Sequence, residues 1–321
     1  MVNKIMLLSL KKAWRLLLIA ASVVSVSIIF VYCYTRSSSF KDKFLALRKQ
    51  KPFPADEIIT ARDASYILYG NGETGTDTDK SLHKFIRSMT SKQTPGERRL
   101  VGNPEQLHYS QLGQSQYVDK LLKGRRNGVF LECGAWDGEE FSNSLFFEIH
   151  RNWTGILIEA NFEKLKSLVK KNRNAFVVRA CLSDTEKPNL AKYTVSKHFG
   201  GALSSSLTEY EIKTFKSVSE SSVLPEIYVQ CFPLMSILDA LNIHHIDYLS
   251  LDVEGSEIQI LRTVNWRKLT VDVLTIEYNG QLDRLRELRT LFNKTGLYKE
   301  EQIIPLGESE KTGIDVVFMH R

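Results

Sequence analysis

Glycines and acidic residues follow the ends of three short apolar runs, where they could contact a nucleotide-like ligand. The first run ends in Glu132-Cys133-Gly134 and continues to Gly138. Glycines at a strand-to-helix turn let the backbone approach a ligand closely, and the helix that follows presents a positive N-terminus. Gly134 and Gly138 suit that task, and Glu132 could hold the turn or contact an amino group of the ligand. A tight turn without any ligand is the alternative explanation.

The second run ends at Glu159, twenty-one residues beyond Gly138. Nucleotide-binding folds hold ribose hydroxyls with a carboxylate about twenty residues after such a glycine turn. The alternative role for Glu159 is to cap a helix that starts near Asn161. The glycine turn and the carboxylate together favour a ligand that contains a ribose.

The third run leads into Asp252-Val253-Glu254-Gly255. Because side chains alternate along a strand, Asp252 and Glu254 are predicted on the same side at its carboxyl end, where ligands bind in open α/β sheets. Two carboxylates there can position a substrate, take a proton or hold a divalent ion. The alternative is that they only stabilise the dipole of a helix from Glu257. Asp252 and Glu254 are our candidate catalytic residues, and no dedicated metal site is predicted.

From about Leu107 to the C-terminus, apolar runs alternate with amphipathic stretches. The runs predict buried parallel strands at Val129–Cys133, Gly155–Glu159, Phe176–Ala180, Tyr248–Asp252 and Val273–Glu277. The amphipathic stretches predict helices at Ser142–Ile149, Phe162–Lys171, Leu234–Leu241, Glu257–Val264 and Leu282–Phe292. Such alternation is typical of an open, doubly wound, mostly parallel α/β sheet with helices on both faces. We also predict an antiparallel edge pair at 302–305 and 315–319, and a long irregular loop at 183–228.

The basic character of the chain lies in its N-terminus. The 321 residues carry a formal net charge of +6, yet the first fifty alone carry about +8, which leaves about −2 on the remainder. That remainder has no basic stripe with interleaved aromatic residues, which excludes a nucleic-acid partner. Residues 16–34 are uncharged and long enough to cross a bilayer. We predict a cytosolic tail at 1–15, a transmembrane signal anchor at 16–34 and a stem at 35–106, with a cleaved signal peptide as the alternative to the anchor. In the stem we predict short helices at 55–68 and 81–89 and a turn-rich acidic stretch at 71–79.

The short basic tail favours a cytosolic N-terminus and a luminal body, although basic residues downstream of the apolar run leave the orientation open. Glycosylation sequons at Asn152 and Asn293 are compatible with a luminal body. Cys133, Cys181 and Cys231 show no metal-type pair spacing. Buried free thiols are favoured for these cysteines, with one disulfide as the alternative.

Four segments together resemble the FkbM-type methyltransferase domain. They are Ser110-Gln111-Leu112-Gly113-Gln114-Ser115, Glu132 to Gly138, Trp153 to Glu159, and Leu251-Asp252-Val253-Glu254-Gly255. The resemblance covers Leu107 to the C-terminus and implies a Rossmann-like fold that binds S-adenosylmethionine. It further implies Gly134 and Gly138 at the methionine end of that cofactor, Glu159 on its ribose, Asp184 near its adenine, and Asp252 at the site of transfer.

The anchor, the stem and the Ser110–Ser115 segment look most like the animal, membrane-anchored, Star-like branch of that family. This branch implies a single-pass protein of the endoplasmic reticulum and Golgi, and also of late endosomes and the plasma membrane. It assists vesicle-mediated transport of membrane-bound protein cargo. A trafficking protein is therefore our first expectation. The alternative is an S-adenosylmethionine-dependent O-methyltransferase acting on a sugar or other hydroxyl, with a carboxylate or one of His198, His244 and His245 as the base.

Overall fold

The computed structural model describes residues 76–92, 96–103, 105–196, 200–207, 212–213, 216–217, 226–306 and 309–321. Its helices are α1 (Thr76–Ser88), α2 (Gln114–Leu121), α3 (Leu145–Arg151), α4 (Phe162–Lys170), α5 (Leu234–Leu241), α6 (Glu257–Thr263) and α7 (Leu282–Thr295). Its strands are β1 (Thr90–Lys92), β2 (Val129–Cys133), β3 (Thr154–Glu159), β4 (Ala175–Arg179), β5 (Cys181–Leu182), β6 (Asn189–Ser196), β7 (Gly200–Leu203), β8 (Glu226–Phe232), β9 (His245–Leu251), β10 (Thr270–Glu277), β11 (Tyr298–Leu306) and β12 (Ser309–His320).

The main sheet is mixed and has the strand order β1-β4-β3-β2-β9-β10-β12-β11. Its five central strands, from β4 to β10, are parallel, whereas β1 pairs antiparallel with β4, and β12 pairs antiparallel with both β10 and β11. From β2 the chain builds outward through β3 to β4, and from β9 it builds outward in the other direction to β10. The carboxyl ends of β2 and β9 therefore flank a topological switch point, where open α/β sheets bind ligands.

The five predicted parallel strands and the antiparallel edge pair are confirmed, with ends that differ by up to a few residues. They form because their apolar runs are buried: every residue of β2, and all but the first of β3, is buried. Phe130, Leu157, Val177, Tyr248 and Val273 lie together in the main core. This packing fixes the ends of the strands, from which the polar side chains project.

A second, four-stranded sheet lies where the sequence predicted only an irregular loop at 183–228. Its order is β5-β8-β6-β7, with β5 parallel to β8 and the other pairs antiparallel. The loop prediction is wrong because β6 and β8 carry polar residues among their apolar ones. Only the last four residues of β8 are buried, and the first three are exposed. Strands that are half-covered in this way give no continuous apolar run.

Cys181 and Cys231 form a disulfide between β5 and β8, and Cys133 is a buried free thiol. The prediction that favoured three free thiols is wrong for this pair. The two cysteines face each other in the register of the parallel β5–β8 ladder. A sequence separation of 50 residues gives no sign of that adjacency.

Replacing both members of this disulfide, in a Cys181→Ser/Cys231→Ser variant, is expected to lower the free energy of unfolding by about 3 kcal/mol. The reason is that the bond closes a loop of 50 residues and so restricts the unfolded chain. Urea unfolding under non-reducing conditions measures the difference. Dithiothreitol should destabilise the wild type to the same extent and leave the double variant unchanged. Equal midpoints for the oxidised wild type and the variant would contradict the expectation.

The folded unit begins before Leu107, within the segment assigned above to the stem. The ring of Phe85 on α1 packs edge-on against Phe232, with 5.6 Å between ring centroids. Arg87 Nη1 donates a hydrogen bond to the carbonyl oxygen of Ala240 at 3.1 Å. The helix predicted at 81–89 is thus present, and it starts at Thr76 in the stretch expected to be turn-rich.

The predicted anchor at 16–34 and the predicted helix at 55–68 lie outside the residues that the structure describes. Among the described residues, no helix has both the length and the apolar character needed to cross a membrane.

Candidate functional site

A cavity of about 380 Å³ lies at the switch point between the carboxyl ends of β2 and β9. Its wall contains five of the seven residues predicted to bind ligand or to catalyse: Glu132, Gly134, Glu159, Asp252 and Glu254. The wall is completed from β10 by Glu277 and from the second sheet by Leu182, Tyr193 and Leu203. Motifs that are far apart in the sequence therefore meet in the wall of one cavity.

Gly134 brings the turn after β2 directly against the end of β9. Its φ is +80°, and a Cβ at this position would lie 1.8 Å from the carbonyl oxygen of Asp252. The backbone N–H of Asp252 donates to the carbonyl of Cys133 at 3.2 Å, and that of Gly134 donates to the carbonyl of Ile158 at 3.1 Å. Any side chain here would push Asp252 away from the turn, so glycine is required.

Gly138 and Asp184 are not in the cavity wall. Gly138 is packed against α4, because a Cβ there would meet Leu168 Cδ1 at 2.3 Å. Asp184 is half-buried, two residues beyond the wall residue Leu182. The structure therefore gives Gly138 a packing role and places Asp184 next to the cavity rather than on its surface.

Glu132 holds the loop between β2 and α3. Its carboxylate accepts hydrogen bonds from Ser142 Oγ at 2.9 Å, from the backbone N–H of Asn143 at 2.6 Å, and from Ser144 Oγ. Of the two roles considered for Glu132, fixing the turn is the one these contacts support.

Glu159 is buried at the end of β3. Its side chain fixes the neighbouring loops by accepting hydrogen bonds from their backbone N–H groups. Its two carboxylate oxygens accept hydrogen bonds from the backbone N–H groups of Trp136 at 2.7 Å and Asn161 at 2.6 Å. Asn161, not Glu159, caps α4 with its side chain. Burial raises the pKa of Glu159 to about 7, although the hydrogen bonds from Asn161, Trp136 and Ala160 oppose that rise. The carboxylate thus changes charge near neutral pH.

Trp136 lies at one wall of the cavity with a left-handed backbone, φ +51°. Lys164 Nζ lies 3.5 Å from the centroid of its ring, in a cation–π contact. Its indole N–H donates to Glu140 Oε2 at 3.3 Å. These contacts fix an aromatic face beside the glycine turn.

Three carboxylates meet at the ends of β9 and β10. Oxygen atoms of Asp252, Glu254 and Glu277 all lie within 4.8 Å of one another. Burial raises the pKa of Asp252, and the negative charges of Asp315 and Glu257 raise it further. Burial, followed by the charge of Asp252, raises the pKa of Glu277 well above its usual range. Glu277 was not singled out in the sequence, although it ends a predicted strand just as Glu159 does.

Three buried polar atoms in the cavity wall have no hydrogen-bond partner among the described residues. They are Asn143 Oδ1, Ser256 Oγ and Glu277 Oε2. Their side chains are 8%, 1% and 7% exposed. Buried polar atoms are normally paired with protein or with water, so these three atoms could pair with water or with a ligand in the cavity.

Two of the three histidines considered as bases, His244 and His245, are not in the cavity wall. His245 is the first residue of β9, at the opposite end of that strand from Asp252, and its Nε2 lies 2.9 Å from Asp272 Oδ1. His244 precedes it and lies 3.8 Å from Asp239 Oδ1. His198 is outside the described residues.

The strand order and the cavity at its switch point define a Rossmann-like fold of the S-adenosylmethionine-dependent methyltransferase type. The sequence profile of the methyltransferase FkbM domain matches residues 132–298, which is just over half of the chain. The chain therefore belongs to the FkbM methyltransferase domain family.

No curated protein sequence matches the chain. The solved structures that the chain resembles are only distantly similar to it. Precorrin-6y C5,15-methyltransferase from Geobacter metallireducens is 14% identical and has a TM-score of 0.35, covering 68% of this chain and 94% of that one. A human methyltransferase 10 domain containing protein is 12% identical, with a TM-score of 0.36 and coverage of 77% and 99%. A protein from Streptococcus mutans solved in complex with SAH is 9% identical, with a TM-score of 0.34 and coverage of 69% and 100%. Likeness at this level bears on neither activity nor substrate.

Proposed function

We propose that the domain transfers a methyl group from S-adenosylmethionine to an oxygen nucleophile, such as a hydroxyl of a sugar. The observation that carries the proposal is that the Gly134 turn, Glu159 and Asp252 share the wall of one cavity in a chain of this family. Each of them has the residue type and the strand-end position that the sequence motifs require of a nucleotide-binding site.

The cavity offers groups that fit this cofactor. Gly134 lets the turn after β2 lie against the end of β9, and the turn thereby forms the part of the wall where the methionine end would lie. Glu159 has about four acceptor positions, and three backbone N–H groups point at it, so it can still accept from a ribose hydroxyl. Asn143 Oδ1 offers an unpaired acceptor in the same wall. The apolar side chains from the second sheet suit the adenine ring.

In the proposed reaction the acceptor oxygen attacks the methyl carbon in line with the sulfur. A carbon–oxygen bond forms, and the sulfur–carbon bond breaks with its electron pair remaining on sulfur, which yields S-adenosylhomocysteine. The hydroxyl proton passes to Asp252 or Glu254. Burial beside other acids raises the pKa of Asp252 to about 8. The ionised form that accepts the proton is therefore present in mildly alkaline solution, where it is a stronger base than an ordinary aspartate. The remaining requirement is positioning.

Glu159→Gln is expected to weaken S-adenosylmethionine binding and to remove its pH dependence. The wild-type affinity should rise about tenfold between pH 6 and pH 8, because the ribose acceptor becomes ionised as the pH passes its pKa of about 7. Glutamine keeps the size of the side chain and does not titrate. Calorimetric titration of the full-length chain in detergent at both pH values measures the two affinities.

The matched control for this experiment is Glu163→Gln, which changes the same residue type on the exposed surface of α4, where it pairs with Lys166. This variant should bind and respond to pH as the wild type does. Absence of binding to the wild type at millimolar S-adenosylmethionine would overturn the proposed function. Equal pH profiles for the wild type and Glu159→Gln would remove Glu159 from the ribose site.

A second candidate function is binding of membrane-bound cargo during transport from the endoplasmic reticulum to the Golgi and through endosomes, by a single-pass protein with a luminal domain. The Cys181–Cys231 disulfide favours this location, since disulfides persist in the oxidising secretory compartments. A luminal domain is separated from the cytosol, where S-adenosylmethionine is made. In this alternative the methyltransferase fold serves as a binding surface.

Membrane topology can be tested through the sequons, because both Asn152 and Asn293 are exposed. A luminal domain is expected to run faster on a gel after treatment with a glycosidase that removes N-linked sugars, and to resist protease in intact microsomes. Retained mobility together with digestion in intact microsomes would place the domain in the cytosol. The two functions separate if Glu159→Gln abolishes cofactor binding and cargo export continues unchanged.

A further inference from the structure

We propose that the methyl acceptor is an uncharged, polyhydroxylated ring, such as a neutral sugar, and that Phe141 selects it by contacting the apolar face of that ring. The assignment rests on the proposed function and specifies the class of its acceptor. Phe141 lines the cavity and is 52% exposed. A wall residue that is exposed to this extent lies where the cavity opens to solvent, which is where an acceptor must enter.

The charges of the cavity wall exclude an anionic acceptor. Its charged residues are all acidic, namely Glu132, Glu140, Glu159, Asp252, Glu254 and Glu277. Among the described residues, no lysine, arginine or histidine lies in the wall. An acceptor that carries a carboxylate, sulfate or phosphate would approach like charges without a cation to pair with it. An uncharged acceptor meets no such repulsion.

Phe141 occupies a position that neither the backbone nor the core favours for phenylalanine. Its φ is +58°, a left-handed conformation in which a bulky side chain is strained. Its exposure means that the ring gains little from burial in the folded chain. Strained residues of this kind cluster at ligand-binding sites, where the surrounding structure imposes the conformation. We therefore assign the ring to the ligand and not to the core.

The Ser110–Ser115 segment, which the methyl transfer described above does not use, holds the backbone at Phe141. Ser110 pairs with Phe141 in an isolated parallel β-bridge. Ser115 fixes Ser110 in turn, since their hydroxyl oxygens lie 2.8 Å apart and the backbone N–H of Ser115 donates to Ser110 Oγ at 3.2 Å. The next residue, Gln111, is exposed in the cavity wall. The segment thereby places a carboxamide next to the aromatic ring at the opening of the cavity.

An aromatic ring together with carboxamides suits a sugar better than it suits a flat aromatic acceptor. The C–H groups on one face of a sugar ring carry partial positive charge, which matches the negative face of the Phe141 ring. Sugar hydroxyls both donate and accept hydrogen bonds, as do the carboxamides of Gln111 and Asn279 in the wall. A phenolic acceptor such as a catechol has too few polar groups to use both carboxamides.

The test measures tritium transfer from labelled S-adenosylmethionine by the full-length chain in detergent. The neutral probes are the methyl glycosides of glucose, galactose and mannose. The charged probes are the corresponding methyl uronides, which differ only by a carboxylate at C6, and catechol is the aromatic probe. We expect transfer to a neutral glycoside, with a kcat/KM at least about tenfold lower for its uronide.

Phe141→Asn removes the ring and keeps the backbone, because asparagine tolerates the left-handed conformation. The variant should be at least as stable in urea as the wild type, which shows that it folds, and should bind S-adenosylmethionine with unchanged affinity. Its KM for the neutral glycoside should rise at least about tenfold with kcat changed by less than about twofold, the result of losing uniform binding. Phe141→Tyr, which keeps the aromatic face, should retain the wild-type KM.

Tyr228→Asn is the matched control, because it removes an exposed aromatic ring from β8, outside the cavity wall. It should transfer methyl groups as the wild type does. Equal use of a glycoside and its uronide, preference for catechol, or an unchanged KM in Phe141→Asn would overturn the acceptor assignment. Absence of transfer to every glycoside by a chain that binds S-adenosylmethionine would overturn it too and leave the cofactor site standing. Absence of cofactor binding would instead overturn the proposed function, and the acceptor assignment with it.

Discussion

Gly134→Ala should destabilise the domain by about 4 kcal/mol and abolish measurable S-adenosylmethionine binding. The added Cβ would lie 1.8 Å from the carbonyl oxygen of Asp252, which is backbone and cannot rotate away. The φ of +80° adds the usual penalty for a side chain in the left-handed region. Relief requires the β2 turn and the end of β9 to separate, and that movement widens the cavity. Urea unfolding and calorimetric titration measure the two effects.

Gly296→Ala is the control that separates the steric clash at Gly134 from the cost of a side chain at positive φ. Gly296 ends α7 with φ +66°, and a Cβ there would meet nothing within 4 Å. This variant should lose only about 1 kcal/mol and bind the cofactor normally. If the two alanine variants were equally stable, the close approach of Gly134 to Asp252 would not be a constraint on the fold.

Arg173→Met should lower the free energy of unfolding by about 3 to 5 kcal/mol. Arg173 is fully buried, and its Nε donates to Glu148 Oε2 at 2.6 Å. It also binds the carbonyl of Gly138 and the hydroxyls of Ser142 and Ser144, so it ties the loop between β2 and α3 to the core. Methionine fills much of the space of the arginine. It leaves the Glu148 carboxylate buried without the positive charge and hydrogen bond of Arg173. Chemical denaturation at pH 7 gives the difference.

The pH dependence of this variant tests the electrostatic cause. Burial alone would raise the pKa of Glu148, but the charge and hydrogen bond of Arg173 hold it below its ordinary 4.5. Wild-type stability from this pair is therefore present above about pH 4.5 and declines as the pH falls through the lower folded pKa. The gap between variant and wild type should narrow in acid. Arg262→Met, which breaks an exposed pair with Glu287, should cost at most about 0.5 kcal/mol at any pH.

The central strands and most of the site could be predicted from the sequence, because both depend on local patterns. Buried parallel strands are continuous apolar runs, and the residue after such a run must lie at the carboxyl edge of the sheet. That rule placed Gly134, Glu159 and Asp252 in one cavity before any contact was known. The same rule applied to β10 would have found Glu277, which ends a predicted strand.

The features that escaped prediction depend on contacts between distant segments. The Cys181–Cys231 bond requires β5 to lie beside β8. Strands with one exposed face carry no sequence pattern that predicts this pairing. Asp184 was assigned from the resemblance alone, and its spacing from the cavity wall depends on the turn after β5. Gly138 fitted the motif, yet its closeness to Leu168 makes it a packing residue. A local sequence pattern predicts where in the fold a residue lies. It does not predict which side chains from distant segments the residue contacts.

The short strand β1 has a practical consequence for how the protein is handled. It covers the outer edge of β4, pairing antiparallel from Thr90 opposite Val178 to Lys92 opposite Phe176. A shortened protein that starts at Leu107 would lack β1. The backbone N–H and C=O groups along the outer edge of β4 would then be unpaired and exposed to solvent. Such edges recruit strands from other molecules. Self-association of that fragment would then reflect the cut and not the native protein, and a fragment that starts upstream of Thr76 avoids it.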